Sequence, residues 1–211
     1  MKIFFDGDSF TYGGGLENPT KHRWSKLICD HFDAEETNLS KSGVSNECVL
    51  RHLFADGHNL EKYDIIFIQL TYPARFECWD EKSQKWRTYS TGSLQWHKQN
   101  DKIKNLDSRF IDFMDYYSNY MYNDKQAMVN ELIAYNSIVS YLKLLGKPFF
   151  MSSLSHYGHI KYDLNFHKFN YMPISKEDLH PSILGHHQIA KRVLSILCLL
   201  YTSPSPRDRV L

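Results

Sequence analysis

The sequence predicts an α/β protein, a three-layer α/β/α sandwich around a central parallel sheet. Three observations carry that expectation. Tyr63–Leu70 (Tyr-Asp-Ile-Ile-Phe-Ile-Gln-Leu) is a near-continuous apolar run, as expected of a parallel strand covered on both faces. Shorter apolar runs at Ile3–Phe5 and Phe149–Ser152 alternate with segments of helical period, the rhythm of strand–helix–strand units. A chain of 211 residues, 42% of them hydrophobic, suffices for one such domain with a sizeable core.

Taken in order, Ile3–Phe5 forms the first strand, and Gly7 and the Gly13-Gly14-Gly15 run break the chain into a loop. Trp24, Leu27, Ile28 and His31 recur at helical spacing, which predicts a helix over Lys21–Phe32. Ala34–Leu39 is expected as a second strand. Ser45 or Asn46 then caps a helix over Glu47–Ala55. Residues 72–122 leave the strand–helix rhythm. They are polar, carry Trp79, Trp86, Trp96 and many tyrosines, and are expected to form an inserted lid or wall with local structure. Met128, Leu132, Tyr135, Val139 and Leu142 stripe a helix over Asp124–Leu145, which Gly146 ends and after which Pro148 opens the next strand. Ser155–Ile174 reads as a loop rich in His and Tyr. Pro181 is expected to start the final helix, with Ile189, Val193 and Leu197 on one face. The domain is thus expected to span residues 1–197. Residues 198–211, with their Tyr-Thr-Ser-Pro-Ser-Pro-Arg-Asp run, are unlike the rest and are expected to be disordered or foreign to the native chain.

Composition narrows the function. With 25 basic and 24 acidic residues the net charge is +1, which points to neither nucleic acid nor an anionic membrane as partner. Cys29, Cys48, Cys78 and Cys198 stand far apart, a spacing that suggests free thiols rather than zinc or a disulfide framework. No cofactor or metal is expected. No stretch reads as a signal peptide or a membrane span, so a cytoplasmic location is expected. Nothing in the sequence defines the oligomeric state.

The chemistry concentrates at two ends of the chain. In Lys2-Ile3-Phe4-Phe5-Asp6-Gly7-Asp8-Ser9-Phe10-Thr11-Tyr12-Gly13, Ser9 sits where a strand gives way to a turn. In an open α/β sheet such strand ends are where ligands gather. An activated serine needs a base, and the base needs an acid to orient it. Glu177-Asp178-Leu179-His180-Pro181-Ser182-Ile183-Leu184-Gly185-His186 supplies both types. Pro181 at a first helical position would hold His180 rigidly ahead of the helix.

These segments resemble the first and last blocks of the SGNH (GDSL-type) serine hydrolases, whose fold is a flavodoxin-like three-layer sandwich. The resemblance implies Ser9 as nucleophile and His180 as base. The family spacing puts the acid three residues before the histidine, at Glu177; Asp178 has the expected residue type one position later, and both stay candidates. Asn38-Leu39-Ser40-Lys41-Ser42-Gly43-Val44-Ser45-Asn46 resembles the second block, implying that the Gly43 N–H helps to form an oxyanion hole. The third block departs from the family: Gln69-Leu70-Thr71-Tyr72-Pro73-Ala74-Arg75 places Thr71 where the family has a donating Asn. Either Thr71 or Asn46 replaces that donor, or two donors suffice. Arg75 is near enough in sequence to bind an anionic substrate group, or to pair with Glu77 or another acid. His186 and His187 read as packing residues.

The expected function is therefore a serine esterase. The aromatic insertion favours an O-acetylated carbohydrate among its substrates. The alternative is a catalytically impaired module of the same fold that binds carbohydrate or protein.

Overall fold

A computed structural model describes residues 1–91, 108–155 and 157–202. The chain runs β1 (Lys2–Asp6), α1 (Ser9–Tyr12), α2 (Pro19–His22), α3 (Trp24–His31), β2 (Glu35–Asn38) and α4 (Asn46–Phe54). There follow β3 (Ile65–Leu70), β4 (Arg75–Asp80), β5 (Lys85–Ser90), α5 (Ser108–Tyr116) and a π-helical turn, Tyr117–Met121. The rest comprises α6 (Asp124–Leu145), β6 (Phe149–Ser153), β7 (Leu164–Asn165) and α7 (Ile183–Thr202). Five strands form one sheet in the order β2-β1-β3-β6-β7, every neighbouring pair parallel. The most apolar run of the sequence, β3, is its central strand and is buried throughout.

Because side chains alternate across a strand, each strand feeds two cores. Ile3, Phe5, Ile65, Phe67 and Phe150 meet Trp24 and Ile28 of α3 and Ile189 and Val193 of α7. Phe4, Ile66, Ile68 and Met151 meet Val49 and Leu53 of α4 and Ala134, Ile138 and Leu142 of α6. Phe5 stacks on Phe67 at 4.7 Å between centroids, with Trp24 edge-on to both. Each such side chain contributes about 1.5–3 kcal/mol by leaving water. Helices on both faces of a parallel sheet make the three-layer sandwich that the sequence predicts.

The elements differ from expectation in four places. The helix expected over Lys21–Phe32 is two helices, broken at Arg23, whose backbone is extended (φ −66°, ψ 148°). There the Trp24 N–H donates to His186 Nδ1, and the Arg23 guanidinium grips Glu36. The loop expected at Ser155–Ile174 contains β7, whose two residues are too few to show a period. The last helix begins at Ile183 rather than Pro181: the Ser182 hydroxyl accepts the Gly185 N–H, while Pro181 bridges Pro173. That helix also runs past Cys198 to Thr202. The expectation for residues 203–211, and that for Trp96, lie outside the described residues.

Within the insertion, β4 and β5 form an antiparallel hairpin with Trp79 opposite Trp86. Arg51 of α4 anchors it through a bidentate pair with Glu77, both bonds 3.0 Å.

A buried polar chain joins α4 to the end of β1. His52 Nδ1 meets Asp6 Oδ2 at 2.8 Å, and His52 Nε2 lies 3.6 Å from Cys48 Sγ. The bond to Asp6 holds the imidazolium proton and pushes the His52 pKa up to about 10. A histidine raised in the folded state stabilises it fully below the unfolded value, and that stabilisation is lost as pH rises through the folded one. His52→Ala is expected to cost about 3–5 kcal/mol at neutral pH, because it leaves a buried carboxylate unpaired. Urea unfolding checks this. The difference from wild type should narrow as pH approaches about 10.

Candidate active site

β1 ends on Asp6, and the chain turns through Gly7 so that Asp8 caps the short helix α1. Asp8 Oδ1 accepts the Phe10 N–H at 3.1 Å. Ser9 is thereby fixed as the first residue of α1. Its hydroxyl has no partner among the described residues, and it lines a cleft of about 510 Å³.

Asp8 is fully buried and fully engaged. Oδ1 also accepts from Gln69 Nε2 (2.6 Å), and Oδ2 accepts from the Thr71 hydroxyl (2.7 Å) and Arg75 Nη1 (3.0 Å). Gln69 Oε1 in turn accepts the N–H and the hydroxyl of Thr11. The nucleophile candidate thus rests on a cross-braced network between β1, α1 and the end of β3. Gln69 was not singled out by the sequence reading. The signal was there, one amide side chain inside an otherwise apolar strand.

His180 arrives from the far end of the chain. Asp178 Oδ1 accepts both its backbone N–H (3.0 Å) and its Nδ1–H (2.7 Å), which fixes the ring and leaves Nε2 as an acceptor. These bonds hold the Asp178 carboxyl below its ordinary range, the backbone bond most strongly. Glu177 turns elsewhere: its Oε2 accepts the Ser175 hydroxyl at 2.9 Å. Gly14 shows how closely base and serine converge. A Cβ there would lie 3.0 Å from Ser9 Cβ and 3.2 Å from His180 Nε2. A side chain at Gly14 would press on both residues and require them to shift.

His186 is fully buried, and its Nδ1 accepts the Trp24 N–H at 3.2 Å. Burial pulls its pKa down to about 3, so it stays neutral around physiological pH.

Of the remaining candidates Arg75 lines this cleft, whereas Gly43, Asn46 and Thr71 lie outside its lining. Gly43, in a positive-φ turn (φ 79°), keeps its N–H unbonded among the described residues. Asn46, the first residue of α4, uses Oδ1 to accept the Thr71 N–H (2.8 Å), and its Nδ2 has no partner among the described residues. The Thr71 hydroxyl proton is committed to Asp8. Arg75 pairs with Asp8 rather than Glu77, and it lines the cleft beside Ser9, Asp178 and His180. The cleft walls are aromatic, but the rings are Phe10, Tyr72, Phe166, Phe169 and Tyr171. Trp79 and Trp86 of the insertion lie outside its lining.

No protein-family profile matches the chain, and no curated protein does. Solved structures do match. The psychrotrophic esterase EstA from Pseudoalteromonas sp. is 16% identical with a TM-score of 0.51, covering 96% of this chain and 99% of its own. A carbohydrate esterase with divergent catalytic and non-catalytic binding functions is 17% identical with a TM-score of 0.54, covering 96% of this chain and 65% of its own. The acetyl xylan esterase Est2A from Butyrivibrio proteoclasticus is 13% identical with a TM-score of 0.52, covering 95% of this chain and 64% of its own. The chain therefore spans the whole of EstA and just under two thirds of these carbohydrate esterases. Its fold, a three-layer α/β/α sandwich, is shared with these esterases. Among the described residues no helix is long and apolar enough to cross a membrane, and no His/Cys/Asp/Glu cluster suits a metal ion.

Proposed function

We propose that the protein is a serine esterase in which Ser9 attacks the ester carbonyl, His180 takes and returns the proton, and Asp178 orients His180. One observation carries this reading: Ser9, His180 and Asp178 line one cleft, with the Asp178–His180 bond at 2.7 Å and with Ser9 Cβ and His180 Nε2 both within 3.2 Å of the place a Gly14 Cβ would take. Attack breaks the carbonyl π bond as the serine proton passes to Nε2. Collapse of the tetrahedral intermediate expels the alcohol, which takes that proton. Water then repeats the sequence on the acyl-enzyme and releases the acid. The Ser9 and Gly43 N–H groups are the backbone donors to the oxyanion.

The side-chain donor to the oxyanion is Asn46 rather than Thr71. The Thr71 proton is held by Asp8, whereas the Asn46 amide is oriented by the Thr71 N–H with Nδ2 left over. Asn46→Ala should lower kcat by roughly 10²-fold, within the range for a lost oxyanion donor, and Thr71→Val by less than about tenfold. Steady-state kinetics on the two variants check this, and the reverse ranking returns the role to Thr71.

An O-acetylated carbohydrate is the substrate class that the cleft favours. Aromatic faces suit the apolar faces of sugar rings, and the cleft has five aromatic side chains in its wall. Hydrolysis of p-nitrophenyl acetate, with a Ser9→Ala control, tests the esterase reading. Acetate release from acetylated sugars tests the substrate class.

A further inference from the structure

We infer that Arg75 is a specificity residue, and that the preferred ester carries a carboxylate which Arg75 grips. The inference rests on the esterase reading above and names its substrate more closely: an acetylated acidic sugar.

A guanidinium offers a carboxylate two parallel N–H bonds from its Nε/Nη2 edge. The chain uses that edge this way twice. Arg23 places Nε and Nη2 on the two oxygens of Glu36 at 3.1 and 2.9 Å. Arg51 places the same pair on Glu77, both at 3.0 Å. Arg75 differs. All its bonds leave from Nη1, to Asp8 Oδ2 (3.0 Å), Thr71 Oγ1 (2.6 Å) and the Val44 carbonyl (3.3 Å). Its Nε/Nη2 edge has no acceptor among the described residues.

The side chain is nonetheless held firmly. Three acceptors fix Nη1, and the guanidinium carbon lies 5.3 Å from the centre of the Tyr72 ring. It is only 19% exposed, and it lines the Ser9 cleft. A braced, half-used guanidinium beside a nucleophile is pre-organised to bind, because little side-chain freedom remains to be lost. The cleft's two carboxylates do not compete for it, since Asp178 is bonded to His180 and Glu177 to Ser175. Asp8 is saturated by its own donors. Arg75 also lines a second, smaller pocket beside Glu47 and Glu131, and neither of these carboxylates bonds it, so the unused edge is open to a carboxylate from outside the chain.

The test compares an acetylated methyl galacturonoside with its uronamide, which replaces the carboxylate by a neutral group of the same shape. Wild type should favour the acid in kcat/KM by about tenfold or more. Arg75→Lys keeps a cation on Asp8 but has no fork, and it should bring the ratio close to one, whatever it does to the rate on either ester. Equal rates on the two esters in wild type, or a preference that survives Arg75→Lys, would overturn the inference. Calorimetric titration of wild type with the unacetylated galacturonoside and uronamide separates this from the esterase reading. Selective binding of the acid without hydrolysis of either ester would support the Arg75 site and count against the esterase. Hydrolysis without selectivity would do the opposite.

Discussion

Ser9→Ala lowers kcat/KM for p-nitrophenyl acetate by at least about four orders of magnitude, since losing the nucleophile leaves only binding and oxyanion stabilisation. The loss should be confined to chemistry. The Ser9 hydroxyl bonds to no described residue, and the cap of α1 comes from Asp8, so alanine removes nothing that holds the fold. Denaturant midpoints of variant and wild type should agree within about 0.5 kcal/mol, the usual range for a substitution that removes no bond or core contact. Residual activity within tenfold of wild type would exclude Ser9 as the nucleophile.

His180→Ala is expected to cost roughly 10⁴-fold in kcat/KM. In wild type, kcat/KM should fall on the acid side through protonation of one group, because a cationic base cannot take the serine proton. Three other groups near the core are excluded as the source of that limb. Burial keeps His186 neutral, with a pKa near 3. The bond to Asp6 keeps His52 protonated up to about 10. The two bonds from His180 hold Asp178 below its ordinary range, so it stays ionised as the limb develops. An acid limb that survives unchanged in the residual activity of His180→Ala would show that another residue is the base.

Much of the scaffold was legible because it is built from long, periodic segments. β3 carries a near-continuous apolar run and α6 a helical pattern with a glycine stop, and both elements form where expected. But α6 buries the face of Ala127, Glu131, Ala134, Ile138 and Leu142, so that of the expected stripe only Leu142 is fully buried and Leu132 is exposed. What escaped the sequence is short or set by distant contacts. Arg23 breaks a helical pattern because its guanidinium pairs with Glu36 and its neighbour's N–H with His186, far along the chain. β7 has two residues and no period of its own. At the site, Ser9 and His180 could be found from local motifs, since a strand-to-turn serine and an acid–histidine pair are sequence-local. The choice between Glu177 and Asp178 was not local in that sense. It depends on which carboxylate folds back onto the ring, and the Ser175 hydroxyl takes the other. The Asp8–Gln69–Thr71–Arg75 network was hidden because Asp8 lies more than 60 residues from the other three. The rings that wall the cleft come chiefly from residues 166–171, not from the tryptophan-rich insertion.

A serine-directed fluorophosphonate tests the central claim most directly, because it needs no knowledge of the substrate. The folded protein should take up one phosphonyl group, with the adduct at Ser9 by peptide mass spectrometry, and His180→Ala should label far more slowly. Well-folded protein that stays unlabelled, or that labels at another serine, would contradict the account.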